Sequence, residues 1–248
     1  MVLKLVPKEF LNGQRSLQHA LRTGVQLLAT IAVIAAANMQ STAFAVVPQF
    51  RIVVSDARGA AIPDAAVMLL PTEISGKAAP TVRPRLSVPA MPVVIQQLDR
   101  ECVPRITLVA VGSRLSLPNN DAVPHSVYSF SPAKQFKFEV YVGSSPQVLT
   151  LDKPGVITLG CNIHDWMVGY IVVVDTPFAQ TTDARGAVSL KNVPEGDYQL
   201  RVWHSQQRVG EHVAQLSATT ASLPHAVVID LAHPRTRYKP PVTLKRYE

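Results

Sequence analysis

Short runs of alternating or clustered apolar residues, each closed by Gly, Pro, Asn or Asp, dominate the chain after residue 92. These runs are rich in β-branched residues and helical periods are scarce, so they predict strands. The predicted strands are Val93–Gln97, Arg105–Val109, Arg114–Leu117, His125–Phe130, Phe136–Tyr141, Gln147–Leu151, Val156–Cys161 and Val168–Asp175. Eight short strands in about 85 residues are typical of a Greek-key sandwich, so we predict an all-β fold.

Strand patterns also occur on both sides of this region, and the two sides share a turn sequence. Asp-Ala-Arg-Gly occurs at Asp56–Gly59 and again at Asp183–Gly186, each time beside apolar runs. Two strands are marginally stable alone, so each side needs a partner. We therefore predict that residues 46–72 and 177–232 form one discontinuous β-sandwich, because a domain is readily inserted at a loop whose ends lie close together.

The inserted domain is predicted at residues 90–176. Residues 73–89, which are rich in Pro, Ala, Ser and Thr, predict a linker. The alternative is two consecutive domains, with residues 46–89 as an extended arm. The last stretch, residues 233–248, carries several Lys and Arg and predicts a solvated basic tail.

The first 45 residues have the pattern of a secretory signal peptide. A basic region is followed by an apolar run at residues 23–37 and by Ala43-Phe44-Ala45, which fits a cleavage site. The run is short for a bilayer span, although an uncleaved anchor is the alternative. Without paired Arg before the run or a Cys after it, a Sec-type signal is favoured. We therefore expect a periplasmic protein in an oxidising compartment, with no stable membrane anchor after cleavage.

Composition and charge are those of a folded, mildly basic protein. Apolar residues make up 47% of the chain and charged residues 17%, which supports a sizeable core. The formal net charge is +7, but the predicted signal peptide carries four of the 24 basic and one of the 17 acidic residues. Its removal leaves 20 basic against 16 acidic residues, a net charge of +4. This balance gives no reason to expect a nucleic-acid partner.

The segment Gly160–Met167 carries the strongest candidate chemistry. Cys161, His164 and Met167 follow one another at intervals of three residues. A thiolate, an imidazole and a thioether on one short loop suit copper, and a second His lies upstream at His125. We predict a copper site in which His125, Cys161 and His164 form a trigonal plane and Met167 is a weak axial ligand.

The stretches Leu117–Ser131 and Gly155–Met167 resemble cupredoxins, and the Cys-x2-His-x2-Met spacing is similar to that of amicyanin. The run that continues to Pro177 resembles plastocyanin-like periplasmic proteins of the methylamine-utilisation type. The outer stretches, residues 50–70 and 178–232, resemble transthyretin-like or carboxypeptidase-regulatory-like β-sandwiches. These resemblances imply a blue, type 1 copper protein that carries single electrons between redox proteins, such as a dehydrogenase or a c-type cytochrome.

The resemblance also implies roles for residues around the ligands. Cupredoxins usually have Asn after the first His ligand and Ser or Thr after the Cys, whereas here Ser126 and Asn162 hold these positions. We expect a Ser126–Asn162 hydrogen bond that ties the two ligand loops together, and a supporting role for Asn120. Trp166 is expected to extend the apolar docking patch around His164, unless it packs inward.

Several alternatives stay open. A Cys102–Cys161 disulfide would remove the thiolate ligand, although a free buried Cys102 is favoured. The alternatives to electron transfer are a protein that stores or delivers copper, and a structural or carbohydrate-binding module. An enzyme is not expected, because no open coordination position, paired carboxylates or nucleophile–base pair is evident. Four further histidines lack partners at ligand spacing and are interpreted as structural or surface residues: His204, His212, His225 and His233.

Overall fold

A computed structural model of the protein describes residues 46–72, 86–208, 210–218 and 224–232. Every helix or strand assigned in these residues is a β-strand, which confirms the predicted all-β class. The described part contains no helix that is long and apolar enough to cross a membrane. The predicted signal peptide, the basic tail and most of the linker at residues 73–89 lie outside the described residues.

The strands are numbered in chain order. They are β1 (Val46–Ser55), β2 (Ala66–Pro71), β3 (Val93–Val94), β4 (Gln96–Leu98), β5 (Glu101–Val103), β6 (Ile106–Ala110), β7 (Arg114–Ser116), β8 (Val127–Ser131), β9 (Lys134–Lys137), β10 (Leu149–Thr150), β11 (Gly155–Cys161), β12 (Val168–Val174), β13 (Ala179–Thr181), β14 (Ala187–Pro194), β15 (Gly196–Trp203), β16 (His212–Ala218) and β17 (His225–Val228).

Residues 93–174 form a β-sandwich, here called the central sandwich. Its larger sheet has the strand order β6-β12-β11-β8-β9 and its smaller sheet the order β10-β7-β3. Inward-facing residues of both sheets share one apolar core, with Leu115 and Leu149 on one side and Ile157, Leu159 and Ile171 on the other. These residues alternate with more exposed ones along β11, as expected for a strand with one buried face.

A second β-sandwich, here called the flanking sandwich, is built from strands on both sides of the central one in sequence. One sheet has the order β14-β1-β17 and the other the order β13-β2-β15-β16. β1 pairs antiparallel with β14 and parallel with β17, while β2 lies between β13 and β15. Residues 46–71 and 179–228 thus share both sheets and one core, which includes Phe50, Leu69 and Leu200. The domain boundaries proposed above stay a prediction.

The two sandwiches meet along an apolar seam. Val172 and Val174, on the outer face of β12, pack with Ala66 and Met68 of β2. Beside them, the rings of Tyr170 and Trp203 lie 5.4 Å apart between centroids. Because the flanking sandwich covers this part of the larger central sheet, β12 is buried on both faces, which explains its nearly continuous apolar sequence.

One predicted strand is misplaced, and one observed strand was not predicted. The prediction of a strand at Phe136–Tyr141 is wrong in its position: β9 is Lys134–Lys137, which pairs with β8 in a tight hairpin. The β4–β5 hairpin also contains a strand, β5, that was not predicted. Its turn residues Asp99 and Arg100 both have positive φ, 53° and 59°. Such a turn usually carries Gly or Asn. Neither occupies these two positions, so the sequence pattern does not predict the turn.

The repeated Asp-Ala-Arg-Gly turns have the same structure at both sites. The Oδ1 atoms of Asp56 and Asp183 each accept backbone N–H groups from the residues two and four positions later, all at 2.9 Å. The glycines that follow have positive φ, 82° at Gly59 and 69° at Gly186. Only the second turn also contacts β1 closely, since the Val54 N–H donates to the Gly186 carbonyl at 2.8 Å.

This difference predicts unequal effects of the same substitution. A Cβ at Gly186 would lie 2.3 Å from the Val54 carbonyl oxygen, whereas a Cβ at Gly59 would meet nothing within 4 Å. Positive φ costs Ala about 1 kcal/mol at either position. We expect Gly186→Ala to lower the free energy of unfolding by about 1–3 kcal/mol more than Gly59→Ala, because backbone must also move. Equal losses in urea unfolding would contradict the contact between β1 and this turn.

Candidate metal centre

Three donor atoms from His125, Cys161 and His164 converge at one end of the central sandwich. The Cys161 Sγ lies 3.7 Å from the His125 Nδ1 and 3.6 Å from the His164 Nδ1. The two Nδ1 atoms lie 3.1 Å apart. Among the His, Cys, Asp and Glu side chains of the described residues, these three form a group that is spaced closely enough to hold a metal ion.

Strand pairing between β8 and β11 brings the donors together. Cys161 is the last residue of β11 and pairs with Val127, the first residue of β8. His125 lies two residues before β8 and is fixed by a bridge to Tyr141. His164 lies on the loop between β11 and β12, so two of the three candidate ligands, His125 and Cys161, are at or near a strand end.

The His125 ring is oriented by Asp121. Its Nε2 lies 2.7 Å from the Asp121 Oδ2, which leaves Nδ1 to face the Cys161 thiol. Burial opposes protonation of His125, but hydrogen bonds to Cys161 and Asp121 outweigh it and raise the pKa of the imidazole. Burial would raise the pKa of Asp121, but hydrogen bonds from the Arg100 N–H, His125 and the Asp99 N–H lower it. Asp121 is therefore a carboxylate that orients a candidate histidine ligand, an arrangement common in metal sites.

Cys161 is poised to be a thiolate. Burial raises the pKa of its thiol, but the hydrogen bond with His125 and backbone hydrogen bonds at Ser126, Ile163 and His164 lower it to about 6. The side chain is nevertheless almost completely buried. A buried thiolate beside two imidazole nitrogens is a strong ligand set for a soft or borderline metal ion.

Met167 lies on the same loop, directly before β12. Its side chain is 1% exposed and belongs to the core of the central sandwich. Its N–H donates to the His164 carbonyl at 3.0 Å, which closes a turn between the two residues. His164 and Met167 thus lie in one turn, which begins three residues after Cys161, the last residue of β11. The assignment of Met167 as an axial ligand stays a prediction.

The residues predicted to support the ligands are arranged differently from the expectation. Ser126 and Asn162 are linked, but through the backbone: the Asn162 N–H donates to the Ser126 carbonyl at 2.9 Å. The Ser126 hydroxyl donates instead to the Phe138 carbonyl. The Asn162 side chain is exposed. The loops are therefore joined by main-chain atoms, which any residue pair could supply.

The bracing expected from Asn120 comes from its neighbour Asn119. Asn120 is exposed, and its N–H donates to the Gln97 carbonyl. The buried Asn119 donates from Nδ2 to the Val123 and Tyr141 carbonyls, both at 2.9 Å, and its Oδ1 accepts the Asp121 N–H. Consecutive residues of an extended chain face opposite sides, so a shift of one position exchanges the buried and the exposed amide.

Trp166 packs beside the ligands. Its ring centroid lies 5.4 Å from that of His164, and the Arg100 guanidinium carbon lies 5.8 Å from the Trp166 centroid. The indole is half-buried, and its Nε1 is buried without a hydrogen-bond partner among the described residues. The neighbouring Ile163 is 45% exposed. Apolar side chains of Ile163 and Trp166 thus lie beside His164, together with the exposed Asn162 and Asp165, and the docking role of Trp166 stays a prediction.

The second cysteine is free and is not part of the donor group. Cys102 and Cys161 are both free thiols, so the alternative disulfide is not formed. Burial, with the charge of Cys161, raises the pKa of Cys102 to about 12. Cys102 fills the space above Gly169, where a Cβ would lie 2.7 Å from the Cys102 Cβ. Its role is packing between β5 and β12.

The histidines interpreted as structural or surface residues lie elsewhere. His204, His212 and His225 belong to no metal-ligating group among the described residues. His225 stacks on Phe50 of the flanking sandwich. His233 lies outside the described residues.

The donor spacing fits a single metal ion. An ion about 2.0 Å from each nitrogen and about 2.3 Å from the sulfur, as in zinc sites, would place nitrogen and sulfur about 3.7 Å apart in a trigonal plane. The observed distances from the Cys161 Sγ, 3.6 and 3.7 Å, agree with that value. The fit concerns size and donor type.

Comparison with known proteins finds structural similarity between part of this chain and solved structures of copper proteins. No protein-family model matches the chain, and no curated protein matches it. A reduced mutant of amicyanin is 22% identical, with 35% of this chain and 86% of that chain covered and a TM-score of 0.32. A purple cupredoxin from Nitrosopumilus maritimus is 22% identical over 33% of this chain and 96% of its own, with a TM-score of 0.29.

A copper-containing nitrite reductase from Thermus scotoductus is 21% identical, with a TM-score of 0.33. That likeness covers 43% of this chain and 25% of the reductase chain. All three likenesses leave more than half of this chain uncovered.

The lowered pKa of Cys161 predicts a titration in the metal-free protein. Because the thiolate is lost as the pH falls through the pKa, its ultraviolet absorbance should disappear with a midpoint at about pH 6. Subtracting the titration of Cys161→Ser isolates this residue, and Cys102, with a pKa of about 12, should stay protonated throughout. A midpoint near the ordinary value of 9.0 would show that the imidazoles do not stabilise the thiolate.

Proposed function

We propose that the protein is a periplasmic type 1 copper protein of the cupredoxin class that carries single electrons between redox partners. The observation that carries this proposal is the convergence of the His125 Nδ1, the Cys161 Sγ and the His164 Nδ1, with Met167 buried on the same loop. Two imidazoles and a thiolate with a nearby Met are the donor set of blue-copper electron-transfer sites. Copper would supply the one-electron couple when bound.

The surrounding residues favour electron transfer because they hold the ligands still. Asp121 fixes the His125 ring, and the Asn162–Ser126 backbone hydrogen bond joins the two loops. The strand pair β8–β11 anchors Cys161 from both sides. Ligands that move little between two oxidation states lower the reorganisation needed for each transfer, in the same way that other preorganised sites avoid rearrangement.

We propose that electrons leave the site through His164. This residue is half-buried and lies beside Trp166 and the exposed Ile163, so apolar side chains flank part of its surroundings. Such a patch suits brief docking of a redox protein, for which a dehydrogenase and a c-type cytochrome are the proposed kinds. With four protein ligands no coordination position is left for a substrate, so we propose no bond-forming or bond-breaking chemistry.

Copper storage or delivery is the second candidate function. It is favoured by the half-buried His164, which would give a chelator or acceptor protein a point of attack at the loop. The two functions differ in metal lability. An electron carrier should keep its copper through many turnovers in the presence of a competing chelator, whereas a delivery protein should lose it on the time scale of partner encounter.

The decisive experiment for the site is spectroscopic. The copper-loaded protein should show an intense blue thiolate-to-Cu(II) absorption band and the EPR spectrum of a type 1 site, and Cys161→Ser should abolish both. Cys102→Ser is the matched control, because the second cysteine is buried away from the donor group, and it should leave the band intact. A blue Cys161→Ser variant, or a wild-type protein that retains only zinc, would refute the proposal.

The axial role of Met167 is tested by Met167→Leu. Leu conserves the volume of this buried side chain, so the fold should persist. We expect the blue band to remain and the reduction potential to rise, because a weak donor that favours Cu(II) is lost. Met68→Leu, at the seam between the sandwiches, is a control that should leave the potential unchanged. An unchanged potential in Met167→Leu would remove Met167 from the ligand set.

A further inference from the structure

A cavity of about 260 Å³ opens where the central and flanking sandwiches meet, at a place unrelated to the metal-binding group. One wall is formed by the Pro63–Asp64 turn and by the turn His204–Gln206 that follows β15. The other wall is formed by Arg105 and Ile106, at the start of β6. Clefts between domains, lined by apolar residues with a few converging polar groups, are preferred sites for small ligands.

Two exposed residues of opposite charge, Asp64 and Arg105, line this cavity without being paired with each other. Among the described residues, neither Asp64 nor Arg105 has an ion-pair or side-chain hydrogen-bond partner, and no ion pair within 4.0 Å joins them. Both charges nevertheless act on His204: burial lowers the pKa of this imidazole, Asp64 raises it and Arg105 lowers it. The carboxylate and the guanidinium therefore line the same cavity as this imidazole and lie close enough to act on it.

His204 supplies a neutral hydrogen-bond donor in the same cavity. Its Nδ1 accepts the Gln206 N–H at 3.3 Å, so in the neutral ring the proton is on Nε2. The His204 backbone N–H donates to the Gln207 Oε1 at 3.1 Å, which holds the turn in shape. No partner for Nε2 is found among the described residues. An acceptor group of a ligand would satisfy it.

We propose that this cavity binds a small zwitterion, with its carboxylate against Arg105 and His204 and its ammonium group against Asp64. The buried Ile62 and the neighbouring Leu231 leave room for a short apolar side chain. The volume corresponds to about nine water molecules at roughly 30 Å³ each, which suits a molecule the size of a small amino acid. Because the two charged groups belong to different sandwiches, the ligand would bridge the seam.

Isothermal titration calorimetry with three probes of similar size tests the proposal. L-alanine carries both charges, propionate only the negative one and propylamine only the positive one. We expect L-alanine to bind at least about tenfold more tightly than either of the other probes, because each charge-assisted hydrogen bond contributes to affinity. Equal affinities, or no measurable binding of L-alanine, would overturn the proposal.

Variants then locate the binding. Arg105→Gln and Asp64→Asn should each weaken L-alanine binding by about tenfold. Asn is the replacement for Asp64 because that residue has a φ of 58°, which Asn tolerates well. Arg114→Gln, an exposed arginine of β7 that does not line the cavity, is the matched control and should bind normally.

Thermal unfolding of each variant verifies that it is folded. If a variant does not fold, the comparison of the three probes on the wild-type protein still decides the question. Wild-type affinity for L-alanine in both folded variants would refute the assignment of this cavity.

Discussion

The register between β8 and β11 is the constraint on which the metal-binding group depends. Gly160 pairs with Tyr128 and Cys161 with Val127. A slip by one residue would turn Cys161 from the core to the outer face of the sheet and remove the thiolate from the two imidazoles. Tyr128 resists such a slip, because its ring lies so close over Gly160 that a Cβ there would be 2.7 Å from the ring. Glycine before the cysteine is therefore a packing requirement of this sheet.

Asp121 connects the turn at Asp99 and Arg100 to His125, a link that the β8–β11 pairing does not provide. Its carboxylate accepts the N–H groups of Asp99 and Arg100 and also contacts the His125 Nε2. One side chain thus stabilises a turn with two positive φ angles and orients a histidine ligand. The same turn places Arg100 against Trp166, which in turn packs on His164. One connected set of contacts, through Asp121, Arg100 and Trp166, therefore holds both His125 and His164.

The sequence predicts the local parts of this arrangement and misses the tertiary ones. Cys161 ends β11, and His164 and Met167 follow within six residues on the next loop, so their spacing alone indicates a common site. His125 is identified by its place beside a predicted strand. The bracing by Asn119 and the β4–β5 hairpin depend on contacts between segments about 20 residues apart, and no turn signal marks Asp99 and Arg100. The only hint of Asp121 is a carboxylate four residues before a histidine.

The flanking sandwich determines how β12 is held, and β12 links the two sites. The outer face of this strand is covered by Ala66 and Met68, so the strand cannot shift without opening the seam. Met167, the residue directly before this strand, belongs to the candidate metal-binding loop. Three residues later the Tyr170 N–H donates to the carbonyl of Arg105, which lines the cavity, at 2.8 Å. A ligand that drew the cavity walls together would act on the backbone of the strand that directly follows Met167, because packed strands transmit displacement along their hydrogen bonds rather than absorbing it.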